Sequence, residues 1–144
     1  MNEKDFYLDE YEYYHSTIEE FDSNKNKPKL YQRIKLIGTF SRSYLLNTLI
    51  LDNIDTSKLF SMRSMCNSCY NLKYVSLKGW NVKSLINCDY CFANCPKLEI
   101  IEIEWENINS KINCFMSLYK TNPIIISNNE FKFNKNTSYP CVLY

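Results

Sequence analysis

Leu72-Lys73-Tyr74-Val75-Ser76-Leu77 is the stretch that decides the fold, because its pattern recurs with a 26-residue period. The earlier copy is Leu46-Asn47-Thr48-Leu49-Ile50-Leu51, the later copy is Leu98-Glu99-Ile100-Ile101-Glu102-Ile103, and Ile124-Ile125-Ile126 begins a fourth. A fixed period of this length is typical of a solenoid, in which each unit buries its apolar face against its neighbours.

Each unit contains two apolar periodicities. The first block is a short apolar run with β-branched residues, which predicts a buried strand. The second block has apolar residues three or four apart, which predicts a short amphipathic helix. Thr56 and Ser57 are candidates to cap that helix. In the unit from Leu46 the second block consists of Leu59, Met62, Met65, Cys66 and Cys69.

The repeat is irregular towards its two ends. Residues 33–44 resemble half a unit that contains only the helix. Trp105 is one residue out of step with Trp80, which predicts a local shift in the 104–112 turn. The sequence therefore predicts an α/β solenoid of about three to four units, with a parallel sheet on one face and short helices on the other.

This pattern resembles the leucine-rich repeats of the bacterial-surface-protein (BspA-like) family, which read approximately L-x-x-L-x-L-x-x-W-D-x-S-x-V-x-x-M-x-x-M-F-x-x-C. The segments from Leu46 to Cys69 and from Leu72 to Cys95 carry it, and the resemblance covers about residues 34–127. It implies a leucine-rich-repeat solenoid that is used for adhesion or protein binding, and it brings no catalytic residues.

The repeats divide the chain into three segments: an acidic and aromatic N-terminal cap (1–30), the leucine-rich-repeat solenoid (31–127) and a C-terminal cap or tail (128–144). Apolar residues in the first segment recur at helical spacing and predict a helix that caps the end of the solenoid, or one that binds a partner. They are Tyr7, Tyr11, Tyr14, Ile18 and Phe21, and residues 23–29 form the expected connector.

Composition and charge favour a single domain in the cytoplasm. The net charge is +1, so the overall charge gives no footprint for nucleic acid, and we do not expect nucleic acid as a partner. Met1 to Asp5 lacks the features of a secretory signal, and no apolar stretch is long enough for a membrane span. Residues 1–22 are acidic and 23–97 are basic, so the acidic segment either packs near the basic body or engages a basic partner.

The seven cysteines cannot all form pairs within one chain, and we expect thiols in a reducing compartment. Cys66-x-x-Cys69 and Cys88-x-x-Cys91, which an 18-residue spacer separates, fit the spacing of a four-cysteine zinc site. The repeat, however, aligns Cys66, Cys88 and Cys91 with large apolar residues of other units. We therefore predict that these cysteines pack in the core and that the protein holds no metal.

No motif in the chain predicts catalysis. His15 is the only histidine, and no glycine-rich phosphate or oxyanion loop is present, so we predict a protein that is not an enzyme and uses no cofactor. Cys141-Val142-Leu143-Tyr144 has the form of a prenylation box, but its last residue is not a usual one, and we do not expect lipidation.

The strand alternation locates the best candidate surface. With Leu49, Leu51, Val75, Leu77, Ile101 and Ile103 pointing inward, their neighbours point outward and form rows across the sheet. The rows read Thr48, Tyr74, Ile100, Ile126, then Ile50, Ser76, Glu102, Asn128, then Asp52, Lys78, Glu104, Glu130. An apolar centre with a charged rim is typical of a binding patch. The predicted partner-binding residues are Thr48, Ile50, Tyr74, Ser76, Lys78, Ile100, Glu102 and Glu104.

We therefore predict a non-enzymatic protein–protein interaction module that binds a partner protein through the outward sheet face, as a compact intracellular effector or inhibitor of phage or parasite type. One alternative is a protein similar to surface adhesins. The other is a small zinc-binding module with affinity for nucleic acid.

Overall fold

A computed structural model describes residues 19–26, 36–109, 111–129 and 133, and its strands form a single parallel sheet. The five strands lie side by side in chain order, and each pairs in parallel with the next. They are β1 (Glu20–Asp22), β2 (Thr48–Ile50), β3 (Tyr74–Asn81), β4 (Ile100–Glu106) and β5 (Ile124–Ser127), and the helix α1 is Ser23–Asn26. We call the chain from one strand to the next a coil, so coils 1 to 4 begin at β1 to β4. The predicted parallel-strand solenoid is confirmed, with about four coils.

The core lies between the sheet and the turns that return the chain to it. The predicted inward residues Leu49, Leu51, Val75, Leu77 and Ile101 are all fully buried. Trp80 and Trp105 stack with ring centroids 6.0 Å apart, and the indole of each donates a hydrogen bond to a carbonyl of the preceding coil. The 26-residue period thus stacks like on like, as a solenoid requires.

The predicted helices on the second face are wrong. The apolar residues Met62, Met65, Cys66 and Cys69 are the first and last residues of two successive four-residue turns. Ser64 and Ser68, the third residue of each turn, have φ of 54° and 63°, which an α-helix does not allow. Two such turns place apolar residues at i, i+3, i+4 and i+7, the spacing of an amphipathic helix.

Hydrogen bonds between coils explain why turns form here. The amides of Met62, Ser64 and Cys66 donate to carbonyl oxygens of the next coil over 2.7–2.9 Å. The amides of Met65 and Cys69 close the two turns by donating to carbonyl oxygens three residues back, and Asn67 donates to Ser64 in the same way. The backbone is thereby satisfied without a helical i to i−4 ladder.

The N-terminal segment departs from the predicted helical cap. Phe21, which the predicted helix includes, lies in β1, where it is fully buried and pairs in register with Leu49. The sequence predicts only a helix for the half unit, whereas β1 precedes its described residues 36–44 and pairs with β2. α1 occupies the start of the expected connector, and Tyr7, Tyr11, Tyr14 and Ile18 lie outside the described residues.

A one-residue register shift between Trp80 and Trp105 is present, but the predicted location in the 104–112 turn is wrong, because the shift lies in β3. Trp80 pairs with Trp105 because Gly79 is an extra residue between the pairs Lys78–Glu104 and Trp80–Trp105. Gly79 has φ of +74°, and an added Cβ would overlap Asn53 Oδ1. Glycine is therefore the residue that fits this bulge.

A second register change lies before β5, so the residues of β5 fall in different rows from those predicted. Ile124 pairs with Ile100 and Ile126 pairs with Glu102, so these strands have a 24-residue offset in place of the 26-residue period. The chain reaches β5 from Thr121 in three steps, whereas it reaches β4 from Cys95 in five. Ile126 therefore lies in the second row and not the first.

Candidate partner-binding face

The outer side of the sheet carries all eight predicted partner-binding residues. The register places Thr48, Tyr74 and Ile100 in one row, which β1 extends with Glu20 and β5 extends with Ile124. The second row runs Asp22, Ile50, Ser76, Glu102, Ile126. The third contains Lys78 paired with Glu104, next to Asp52. We call this surface the outer face.

The apolar part of the outer face grows more exposed towards β5. Ile50, Tyr74 and Ile100 are half-buried, whereas Ile124 and Ile126 are 69% and 51% exposed. The two exposed isoleucines are neighbours, in register, of Ile100 and Glu102. Contiguous exposed apolar side chains on a sheet, rimmed by charge, are typical of an interaction site.

A polar network fixes the centre of the outer face. The Ser76 hydroxyl and the Lys78 amide both donate to Asp52 Oδ1, over 2.7 and 2.9 Å. Ser76 is also buried, so its side chain acts within the sheet rather than as an exposed contact. Lys78 forms an ion pair with Glu102, and the hydrogen bond to that carboxylate raises the pKa of Lys78.

Acidic side chains line the carboxyl-terminal side of the outer face. Glu104 and Glu106 are exposed on β4 on either side of the buried Trp105. Within the described part of the chain, neither carboxylate forms an ion pair. At the β1 end, Glu20 is paired with Lys25 of α1 over 3.1 Å.

Sequence reasoning missed three members of the outer face. Glu20 and Asp22 were overlooked because β1 has a 28-residue offset from β2, which hides it from a search at the 26-residue period. Ile124 was overlooked because of the shortened approach to β5. Asn128 and Glu130 were placed with the 26-residue offset, and Glu130 lies outside the described residues.

The cysteines of the two Cys-x-x-Cys motifs lie in the core, as predicted. Cys66, Cys69, Cys88 and Cys91 are fully buried free thiols. Burial raises the pKa of Cys66, Cys88 and Cys91, so all three stay protonated at neutral pH. In the described ranges no group of three or more His, Cys, Asp or Glu is arranged to hold a metal ion.

Two further expectations concern cysteine and membrane chemistry. Cys114 is disulfide-bonded, so the expectation of thiols throughout is wrong at this position. α1, the helix of the described segments, has four residues and is too short to cross a membrane. His15 and Cys141 lie outside the described residues.

The parallel sheet, the stacked turns and the recurring core define a solenoid repeat protein with one mixed apolar and acidic face. The model of the family described as "Mycoplasma protein of unknown function, DUF285" matches residues 10–137, and the chain belongs to this family. It is a repeat family related to the BspA-like proteins. No curated protein and no solved structure matches the chain.

Proposed function

We propose that this protein is a non-enzymatic interaction module that binds a partner protein through the outer face. The observation that carries the proposal is the exposure of Ile124 and Ile126 beside Ile100 on a sheet whose remaining rim is charged. Leaving two large apolar side chains in water forgoes the free energy of burying them, and a partner that covers them recovers it. The predicted cytoplasmic location and the effector or inhibitor role stay predictions.

The chain offers a closely matched control for testing the outer face. Ile86 is 45% exposed, close to the 51% of Ile126, and it lies in the turns between β3 and β4. The variant Ile124→Asp/Ile126→Asp places two charges on the outer face, and Ile86→Asp makes the same kind of change elsewhere. Circular dichroism and urea unfolding establish that each variant is folded.

The experiment is quantitative affinity capture from cells that express the protein, followed by binding measurements with the purified captured protein. We expect wild type and Ile86→Asp to retain the same partner. We expect Ile124→Asp/Ile126→Asp to weaken its binding at least tenfold, equivalent to about 1.4 kcal/mol or more. Equal binding by all three proteins would exclude the outer face as the site.

Adhesion outside the cell is a second candidate, and the relation of the family to the BspA-like proteins favours it. Protease treatment of intact cells distinguishes the two locations. Digestion of the protein on intact cells supports adhesion, and protection until lysis supports an intracellular module.

A further inference from the structure

The outer face has features that select one kind of partner segment. Resting on that function, we propose that the outer face accepts an amphipathic helix of the partner protein. The apolar side of the helix lies on the first two rows, and Lys or Arg side chains along one flank meet Glu104 and Glu106.

The two sides of the solenoid differ in charge. The five strands carry five carboxylates and one lysine: Glu20, Asp22, Glu102, Glu104, Glu106 and Lys78. Lys78 is already paired with Glu102, and Glu20 is paired with Lys25. In the described segments that connect the strands, eight cations outside α1 are exposed, at Arg42, Lys58, Arg63, Lys73, Lys83, Lys97, Lys111 and Lys120. The acidic surplus therefore belongs to the outer face and not to the whole molecule, and it selects a basic partner.

The distribution of charge sets the orientation of that partner. Tyr74, Ile100 and Ile124 lie in the first row, and the second row adds Ile50 and Ile126. The acidic row lies further along the strands, because Glu104 follows Glu102 by two residues. Two residues of a strand advance about 6.7 Å, less than the diameter of a helix, which is about 10 Å. A helix that covers the two apolar rows therefore places one flank next to Glu104, and Glu106 follows two residues further along β4.

Backbone chemistry favours a helix over an extended segment. The backbone N–H and C=O groups within a sheet are already paired between strands, so an extended peptide that lies on the face of the sheet has no backbone partner there. A helix satisfies its own backbone and presents side chains alone. The apolar rows run from β2 to β5 across three strand gaps, roughly 14 Å, which corresponds to about nine or ten residues of helix.

The test uses two designed 18-residue helical peptides, identical except for one flank. Both carry leucine on one face, and the flank is lysine in the first and glutamate in the second. Fluorescence anisotropy measures the Kd of each for the full chain at low and high salt. We expect the lysine peptide to bind at least tenfold more tightly than the glutamate peptide at low salt, and the difference to shrink as salt screens the charges. Equal binding of the two peptides, or binding of neither, would overturn the proposal.

Two charge reversals with the same change in net charge locate the contact. Glu104→Lys should weaken binding of the lysine peptide at least fivefold. Glu99→Lys, at an exposed position about 16 Å away along the strand direction, should change it less than twofold. Equal effects of the two reversals would mean that net charge alone is responsible and would sink the proposed contact.

Two further outcomes distinguish failure of the helix proposal from failure of the proposed function. If Ile124→Asp/Ile126→Asp loses the captured partner while Glu104→Lys keeps it in full, the outer face is the site but its partner is not a basic helix. If wild type self-associates in sedimentation and Glu104→Lys abolishes the association, the occupant is the basic connecting segments of a second copy, which also overturns the inference.

Discussion

The thiol of Cys95 donates a 3.0 Å hydrogen bond to the carbonyl oxygen of Cys66, which lies one coil earlier. Cys69 donates in the same way to Phe40, and Thr121 donates through its hydroxyl to Phe92 over 2.7 Å. We call Ser43, Cys69, Cys95 and Thr121, which recur with the 26-residue period, the donor column. Its cysteines are hydrogen-bond donors as well as core residues, and a serine or threonine hydroxyl can donate the same hydrogen bond.

The first prediction concerns the donor group at Cys95. Cys95→Ala removes the hydrogen bond and leaves a small void, and we expect it to lower the free energy of unfolding by about 1–2 kcal/mol. Cys95→Ser keeps a donor and should cost less than about 1 kcal/mol. Urea unfolding measures both. If the two variants lose the same stability, the hydrogen bond contributes nothing and only the volume of the sulfur matters.

The second prediction is that the protein loses stability above pH 9. Burial raises the pKa of Cys66, Cys88 and Cys91 above the ordinary value of 9.0, and hydrogen bonding with Cys69 together with burial does so for Cys95. The folded thiols hold their protons while those of the unfolded chain ionise, so this stability is complete below pH 9 and is lost as the pH rises. Each thiol contributes a slope of about 1.4 kcal/mol per pH unit.

A single variant isolates the contribution of one thiol. Because Cys88→Ala removes one titrating group, the slope of unfolding free energy against pH between pH 9.5 and 10.5 should fall by about 1.4 kcal/mol per unit. All other ionisable groups are common to the two proteins and cancel in the comparison. An unchanged slope would show that the Cys88 thiol is not held protonated by the fold.

The sequence predicts those parts of the fold in which apolar side chains recur at the repeat period. The period fixed the parallel sheet and the inward set from Leu49 to Ile103 because burial depends on side-chain identity. The turns at residues 62–69 could not be recognised, because a four-residue turn repeat and a helix share the same apolar spacing. The feature that distinguishes them is positive φ, and here it falls on Ser64, Ser68, Tyr90 and Asn94 rather than on glycine.

The third prediction concerns Gly79, the extra residue that accounts for the one-residue offset between Trp80 and Trp105 in the sequence. Gly79→Ala should lower the free energy of unfolding by about 1–2 kcal/mol, because alanine at φ of +74° is strained and its Cβ displaces the Asn53 side chain. Asn53→Gly removes that side chain and tolerates the positive φ of Asn53. In this background Gly79→Ala should retain about 1 kcal/mol of its cost. A double-mutant cycle measures both parts, and a cost that vanishes in the Asn53→Gly background would mean that φ carries no strain.

The outer face could be predicted from the sequence only in part, because the apolar pattern marks some of its strands and not others. Alternation along β3 and β4 identified Tyr74, Ile100 and Glu102 as outward residues, and the register confirms their neighbours. The members on β1 and β5 escaped because loop lengths, which leave no apolar pattern, set the offsets of these two strands. Ser76 is buried and donates a hydrogen bond to Asp52, a contact across strands that spacing alone does not specify.

The last prediction contrasts the two ends of the donor column. Within the described segments, the buried Ser43 hydroxyl has no hydrogen-bond partner, whereas Thr121 donates to Phe92 and accepts from the amide of Cys95 over 3.0 Å. A buried hydroxyl without a partner costs free energy, so Ser43→Ala should leave the protein as stable as wild type or more stable by up to about 1 kcal/mol. Thr121→Val removes both hydrogen bonds at similar volume and should cost about 2–3 kcal/mol. Urea unfolding of the two variants in parallel measures the contrast. A loss above about 1 kcal/mol for Ser43→Ala would mean that the hydroxyl has a partner in solution, and the column would then be complete at both ends.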